Sequence, residues 1–573
     1  MNFDVLVNRK NADVTITEKP SKRDGLSLYD VHISYSEPTK ADLVEIRFSL
    51  PCIDIYSVFA PSNMFECSLH PNWSPKGNCS SINGGSPVMA FLSSDGRNRL
   101  TVAHSDTLSP VTMLAGVNEF TKSIDFDIKF FDYMPTMIKD YHATIYIDAA
   151  DKRYDEAVSD VVRFWEKDCG LTPAFIPDVS KRPLYSAWYS FHQDVDPDKI
   201  VRECALAKSY GMESIIVDDG WQCDDSSGGY RYCGDWEVAE SKIPDMADFV
   251  HRVQETGLKF ILWYNFAGVG IYSKAHERFK DMLLNPQDEN CAELDPRFPE
   301  VREYLIDKYR RAILDWNLDG FKLDFVDAVY PREGTMEPND RMDIISVEAA
   351  LDKLLTDICA MAKAIKPDFI IEFRQMFFGP RMRKFANMFR VGDCPNDSIR
   401  NRIVGTNMRL ILGSSPVHSD MLMWHRDDTA ESVMVQLLSC MFVVPQISVM
   451  LADISEEHSK VLRHYLSFWN AHRDTLLDGK LEADNPESMF SLIRSTLNDE
   501  TVAVAYTKPV IEITTEKAFI FNMTDSDTLY IKTDGRKFTY TVRDCFGEYV
   551  TDGLSDCTLT DIAVPHCGMV EIK

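Results

Sequence analysis

The stretch that decides the fold is DGFKLDFV, residues 319–326. It is a short apolar run interrupted by charges, too short for a helix of its own, and it reads as a strand buried in a parallel sheet. Seven runs of the same kind accompany it. LYSAWYSF (184–191), ESIIVDDG (213–220) and KFILWYNF (259–266) precede it; FIIEFR (369–374), NMFRVGD (387–393), PVHSDMLMW (416–424) and PQISVMLAD (445–453) follow. Helical patterns lie between them with ordinary start and stop signals: Asp196 as N-cap with Pro197 after it and Gly211 past the end, ADFVHRVQETG closing at Gly257, and PEVREYLIDKYRRAILDW. A last helix is expected over EEHSKVLRHYLSFWNAHRDTLL. Eight runs alternating with helices are what a (β/α)8 barrel needs.

On both sides of the barrel the rhythm changes to period two. Segments such as DVTITEK, SLYDVHISYS, DLVEIRFSLP, SIDFDIKFF and HATIYIDA fill residues 3 to 150, the pattern of antiparallel strands with one wet face. A helix, YDEAVSDVVRFWEKDCG, and a proline-rich linker, LTPAFIPDVSKRP, lead into the barrel. The alternation returns in MFSLIRST, TVAVAYT, AFIFNM, TLYIKTD and TYTVRDCFG. The expected organisation is an N-terminal antiparallel β-supersandwich with its linker helix over 1–175, a (β/α)8 TIM barrel over 176–480 and a small C-terminal β-sandwich over 481–573.

With 61 Lys and Arg against 89 Asp and Glu, the 573 residues carry a net charge of −28. That charge repels phosphate backbones and anionic membranes, so nucleic acid and lipid are excluded as partners in favour of a neutral small molecule. The first residues lack the basic and apolar regions of a secretory signal, and no run approaches 18 apolar residues, which together point to the cytoplasm. The 14 cysteines form no C-x-x-C pair and read as reduced, mostly buried thiols. The crowded loop holding Asp218, Asp219, Cys223, Asp224, Asp225, Cys233 and Asp235 has the spacing of neither a zinc ribbon nor an EF-hand, and there is no H-E-x-x-H, Walker lysine or G-x-S-x-G. No metal and no cofactor is expected.

Barrel enzymes place their chemistry at the carboxyl ends of the strands. Here those ends carry Asp218 and Asp219, Lys322 and Asp324, Glu372 and Arg374, Asp393, His418 and Asp420, and Asp453. Each carboxylate would cost free energy if buried alone, although Asp453 and one of Asp218 and Asp219 could instead cap the next helix. Lys322 and Asp324 are two apart, so both side chains leave one face of the strand. The ammonium favours the ionised carboxylate, as a nucleophile needs; a plain strand-end ion pair satisfies the same tripeptide. Asp393 could be the opposite partner, its pKa raised by the like charge of Asp324 until a sugar occupies the nucleophile. Two carboxylates tuned in opposite directions are the equipment of a glycosidase, and about 5–5.5 Å between them means retention of configuration. Trp188, Tyr189, Trp221, Trp263 and Trp424 lie near strand ends, where they either stack on a sugar or belong to the core.

The segments SAWYSF, VDDGWQ, FILWY, DGFKLDF and FRVGDCPND resemble the melibiase-type α-galactosidases of glycoside hydrolase family 36, in order and spacing over roughly residues 180 to 480. The resemblance implies Asp324 as nucleophile and Asp393 as acid/base. It further implies that Asp218, Asp219 and Lys322 bind sugar hydroxyls, that Trp263 and Tyr189 wall the site, that Arg390 contacts it, and that no cofactor is used. Two departures stand out. Where many members read Trp-Phe-Glu-Pro-Glu after strand three, this chain has Trp263-Tyr-Asn265-Phe-Ala; where the longer enzymes have a cysteine and a glycine run at strand five, it has Arg374-Gln-Met-Phe-Phe-Gly379. The family reads the sugar's C2 substituent at that second loop, so Arg374 should reshape the pocket. The expectation is a retaining exo-α-glycosidase, an α-galactosidase that hydrolyses terminal α-D-galactosides of a small oligosaccharide or glycoside by double displacement; the alternatives are an α-N-acetylgalactosaminidase or other related α-glycosidase with an altered C2 pocket, a galactosyl transferase of raffinose-synthase type, and a non-catalytic sugar-binding relative.

Overall fold

The computed structural model describes residues 1–8, 12–132, 137–374 and 379–573. The eight predicted runs become eight parallel strands in one sheet: Leu184–Ser186, Ser214–Val217, Lys259–Asn265, Gly320–Asp324, Ile370–Arg374, Met388–Arg390, Val417–His418 and Gln446–Ile447. They are called the first to eighth barrel strands below. The eighth pairs with the first through Leu184↔Gln446, and a parallel bridge between His418 and Val444 brings the seventh to the run before the eighth, so the cylinder closes.

Side-chain period two divides the barrel interior into layers. Leu184, Ile216, Ile261, Ile370 and Met388 form an apolar floor cluster. Gly320 belongs to the same level, where an added Cβ would come within 2.7 Å of Ile370 Cβ. Two residues further along these strands stand Ser186, Asp218, Trp263, Lys322, Glu372 and Arg390; four further along stand Asn265, Asp324 and Arg374. An apolar floor under a charged storey is therefore written into each strand as i and i+2.

Before the barrel, two antiparallel sheets pack face to face. One orders Asp4–Val7, Val44–Pro51, Ser123–Phe130, Val111–Asn118 and Lys76–Ser80; the other orders Asp13–Lys19, Leu26–Lys40, Met137–Asp148, Asn98–His104, Val88–Leu92 and Ser57–Phe59. Their inward residues, among them Val31, Ile33, Ile46, Phe48, Ile124 and Phe126, make a separate core. The second sheet's outer face joins the barrel's own core through Phe59, Val88, Leu92, Ala103 and Tyr146, with helix Tyr154–Lys167 between them. After the barrel come a seven-stranded and a three-stranded sheet, from Lys480–Asp484 to Met569–Ile572.

Three local readings change. The last barrel helix is interrupted, with Glu456–Ala471 ending at His472 and Arg473–Asp478 following. The N-cap alternative fails for Asp218 and Asp219, because the next helix is capped by Asp245, whose side chain accepts from Asp248 N. It fails for Asp453 too: Ser455 caps that helix, and Asp453 lies on the surface. Among the described residues no helix is long and apolar enough to cross a membrane.

Candidate active site

Asp324 ends the fourth barrel strand and is almost wholly buried. Its Oδ2 accepts from Trp263 Nε1 at 3.0 Å and lies 3.7 Å from Lys322 Nζ; its Oδ1 accepts from the Phe325 amide at 2.9 Å and pairs with Arg374 Nε. Phe325 turns the chain sharply at φ 57°, ψ 24°, a left-handed conformation that is strained for a phenylalanine and ends the strand at the carboxylate. Burial pushes the Asp324 pKa up, but Arg374, Lys322, Arg390 and the Trp263 bond outweigh it, and the net direction is down.

Asp393 stands in the loop after the sixth strand, with its side chain 46% exposed. Arg374 Nη1 donates to its Oδ2 at 3.1 Å and Arg390 Nη2 to its Oδ1 at 2.9 Å. Here the expectation of a raised pKa is corrected. Burial does raise it, but the charges of Arg390, Arg374 and Lys322 prevail and hold this carboxyl at about 2. The like charge on Asp324 is outweighed by two guanidiniums in direct contact.

One guanidinium, that of Arg374, thus touches both carboxylates and spans the gap between them, with its Cζ 4.6 Å over the Phe325 ring. The two carboxylates are thus separated by one guanidinium and its two contacts. The residues Gln375, Met376, Phe377 and Phe378, on which the altered strand-five loop was read, lie outside the described residues.

Lys322 Nζ donates to Asp218 Oδ2 at 2.6 Å, both groups buried. Asp218 Oδ1 accepts from the Asp219 amide. Asp219 is held by Gln193 Nε2 and Gln222 Nε2, each at 2.6 Å, and burial pushes its pKa up to about 6 against those two bonds. Arg390, fully buried, ion-pairs with Asp420, whose Oδ2 accepts from Tyr189 OH at 3.1 Å and from the Cys394 amide at 2.6 Å. Beneath them Glu372 takes a bond from Gln446 Nε2 at 2.6 Å, and burial lifts its pKa to about 7.

Of the residues singled out from the sequence, Asp218, Asp219, Lys322, Asp324, Trp263, Arg374, Asp393 and Arg390 therefore form one directly connected group, which Tyr189 joins through Asp420. Of the other aromatics, Trp221 is core, stacked on Trp236 with its Nε1 donating to Trp263 O at 2.9 Å. Trp424 is buried edge-on to His458. Sequence reading missed three members. Gln193 follows the first strand, and nothing in its context marks it. Tyr230 stacks on Trp263 at 6.0 Å and meets the Phe325 edge at 5.0 Å, but it sits in a Ser-Gly loop with no periodic signal. Asp327, three residues past Asp324, stands one position beyond the deciding stretch; burial lifts its pKa to about 6. Among the described residues no group of three or more His, Cys, Asp or Glu is placed to hold a metal ion.

Residues 175–331 match the Melibiase family model. The α-galactosidase Mel36A of Lactobacillus acidophilus is 29% identical over 161 residues, which are 26% of this chain and 20% of that protein. The chain thus matches about a fifth of that curated relative's length. Among solved structures, the GH36 α-galactosidase AgaA of Geobacillus stearothermophilus superposes with a TM-score of 0.67 at 14% identity, covering 98% of this chain and 81% of that one. TtGalA, the α-galactosidase of Thermus thermophilus in complex with stachyose, gives 0.55 at 18% identity, over 79% of this chain and 99% of that one. These structures share the fold: a parallel eight-stranded barrel with antiparallel sheets on either side.

Proposed function

We propose that this chain, which carries a Melibiase domain in its barrel, is an exo-acting α-glycosidase that hydrolyses terminal α-D-galactosides with retention of configuration. The observation that carries the reading is the pair Asp324 and Asp393, at the ends of the fourth and sixth barrel strands, joined by one guanidinium. Asp324, kept ionised by its cationic neighbours, attacks the anomeric carbon while Asp393 gives a proton to the departing oxygen. The glycosidic C–O bond breaks and a glycosyl ester forms on Asp324. Asp393 then takes a proton from water, whose oxygen displaces the ester and restores the α configuration. Asp218, Asp219 and Lys322 are the hydroxyl-binding groups, Trp263 and Tyr189 the walls, and Arg390 aims Asp393. Substrates are neutral oligosaccharides, stachyose among them, since a net charge of −28 and a ring of carboxylates repel anionic sugars.

Arg374 brings a second reading. A guanidinium at the end of strand five is a donor suited to an amide carbonyl, so a 2-acetamido sugar is the competing substrate. A panel of nitrophenyl α-glycosides decides between them: the expected result is preference for the α-galactoside, and a preference for the N-acetyl-α-galactosaminide would replace it. In the same assay Asp324→Ala is expected to lose turnover altogether, with azide restoring part of it by entering the vacated space. Substantial activity in that variant without azide removes Asp324 from the role.

A further inference from the structure

Arg374 sits where the reacting carbon has to be. Its Nε and Nη1 face Asp324 and Asp393, so no pyranose can come between the two carboxylates until it moves. Both oxygens of Asp324 are engaged meanwhile, one by Trp263, the other by the Phe325 amide and Arg374. A nucleophile needs one of those lone pairs free, and the acid has to hold a proton that two guanidiniums drive off.

A partner for the displaced guanidinium stands nearby, close enough to feel its charge. Asp327 lies on the turn Val326–Ala328, immediately past the Phe325 ring over which Arg374 already rests. Among the described residues Asp327 Oδ1 is buried without a hydrogen-bond partner. A buried carboxylate oxygen left unpaired is costly, and a guanidinium is the group that best relieves it. The turn is also held rigid from outside, because Asn83 Nδ2 donates to Val326 O at 2.8 Å and to Val329 O at 2.9 Å.

We infer that Arg374 is a latch: it closes on Asp324 and Asp393 while the site is free of sugar, and an entering pyranose drives it onto Asp327. This rests on the glycosidase reading above and adds a positioning residue, Asp327, to it. Burial holds the Asp327 carboxyl up at about 6 against the charge of Arg374, so near neutral pH it is mostly an ionised, buried carboxylate with an oxygen left for a cation to satisfy. When the guanidinium arrives, its charge keeps Asp327 ionised; Asp393, freed of one cation though still beside Arg390, Lys322, Tyr189 and Asp420, has its pKa raised and takes a proton from solvent more readily. Asp324 retains Lys322, Trp263 and the neighbouring Tyr230, and regains a lone pair.

The test is a double-substitution cycle on kcat/KM with nitrophenyl α-galactoside, together with the wild-type enzyme crystallised with D-galactose. Asp327→Asn leaves the latch nowhere to go and is expected to lower kcat/KM about 10- to 100-fold, the worth of one charge-assisted hydrogen bond. Arg374→Met abolishes the latch, so Arg374→Met with Asp327→Asn is expected to match Arg374→Met alone. Losses that multiply instead overturn the latch, as does a sugar-bound structure with Arg374 still on Asp324 and Asp393. Asp327→Ser serves the same cycle if the asparagine variant fails to fold. Wild-type enzyme that turns over no α-glycoside fails the glycosidase reading itself, and the latch with it.

Discussion

Asp393 takes one bond from each of two guanidiniums, and its charge balance sets a measurable pH behaviour. A carboxyl held at about 2 is protonated only in acid. As pH rises, the free enzyme loses the proton that the departing oxygen needs, so kcat/KM should fall from the acidic side upward. The fall should be steep for alkyl glycosides and shallow for dinitrophenyl glycosides, whose leaving groups depart without help. By the same reasoning Asp393→Ala should lose about 10²- to 10⁴-fold on an alkyl glycoside and little on the dinitrophenyl one. Rates measured on both substrates check this; an equal loss on each would assign Asp393 a role other than acid. The sequence made Asp393 legible as a candidate acid, because it ends an apolar run. It hid the sign of the shift. Lys322 and Arg374 were each visible two residues from a strand-end partner, but whether Arg374 meets Asp393 depends on the stagger between the fifth and sixth strands, where Arg374 pairs with Arg390.

The turn at residues 81–84 acts at the scale of an element. It projects from the N-terminal sheets onto the barrel rim, where Ile82 is fully buried and a Cβ on Gly379 would come 2.8 Å from Ile82 O. Asn83, at its tip, clamps the loop after the fourth strand through two carbonyls. Asn83→Ala leaves Val326 O and Val329 O without those donors in a buried setting and is expected to cost about 1–3 kcal/mol of stability. Loosening that loop also frees Phe325 and Asp327, so turnover is expected to drop about tenfold or more, the penalty for a small misplacement of reacting groups. Melting and kinetics on one preparation test both halves. Unchanged turnover in a destabilised variant would reduce Asn83 to a structural clamp. Nothing in the sequence reveals this contact. Ser81, Ile82, Asn83 and Gly84 read as an ordinary turn, and the partner lies 243 residues away. The barrel strands were legible for the opposite reason: their period is local, and a floor residue at i forecasts the site residue at i+2.

At the scale of the whole molecule, the rim that carries the candidate site depends on how the flanking sheets are fastened to the barrel. One apolar cluster runs from Phe59, Val88 and Tyr146 in the second N-terminal sheet, through the barrel, to Val502, Phe519 and Met569 near the C-terminus. Helix Tyr154–Lys167 is the seam. Tyr154 OH donates to Ala483 O at 2.8 Å at one end, and at the other Trp165 is fully buried with its Nε1 donating to His104 O at 3.0 Å. Trp165→Ala removes the largest side chain in that seam and orphans a buried carbonyl, which is expected to cost about 3–5 kcal/mol. Because the cluster is continuous, the loss should move the entire unfolding transition together, with circular dichroism of the sheets and tryptophan fluorescence of the barrel falling at the same temperature. An N-terminal signal that melts early while the barrel signal stays put would mean that the two units are merely adjacent. The turn at Asn83 would then hold the rim without support from behind, and the rigidity on which the latch depends would have to come from the barrel alone.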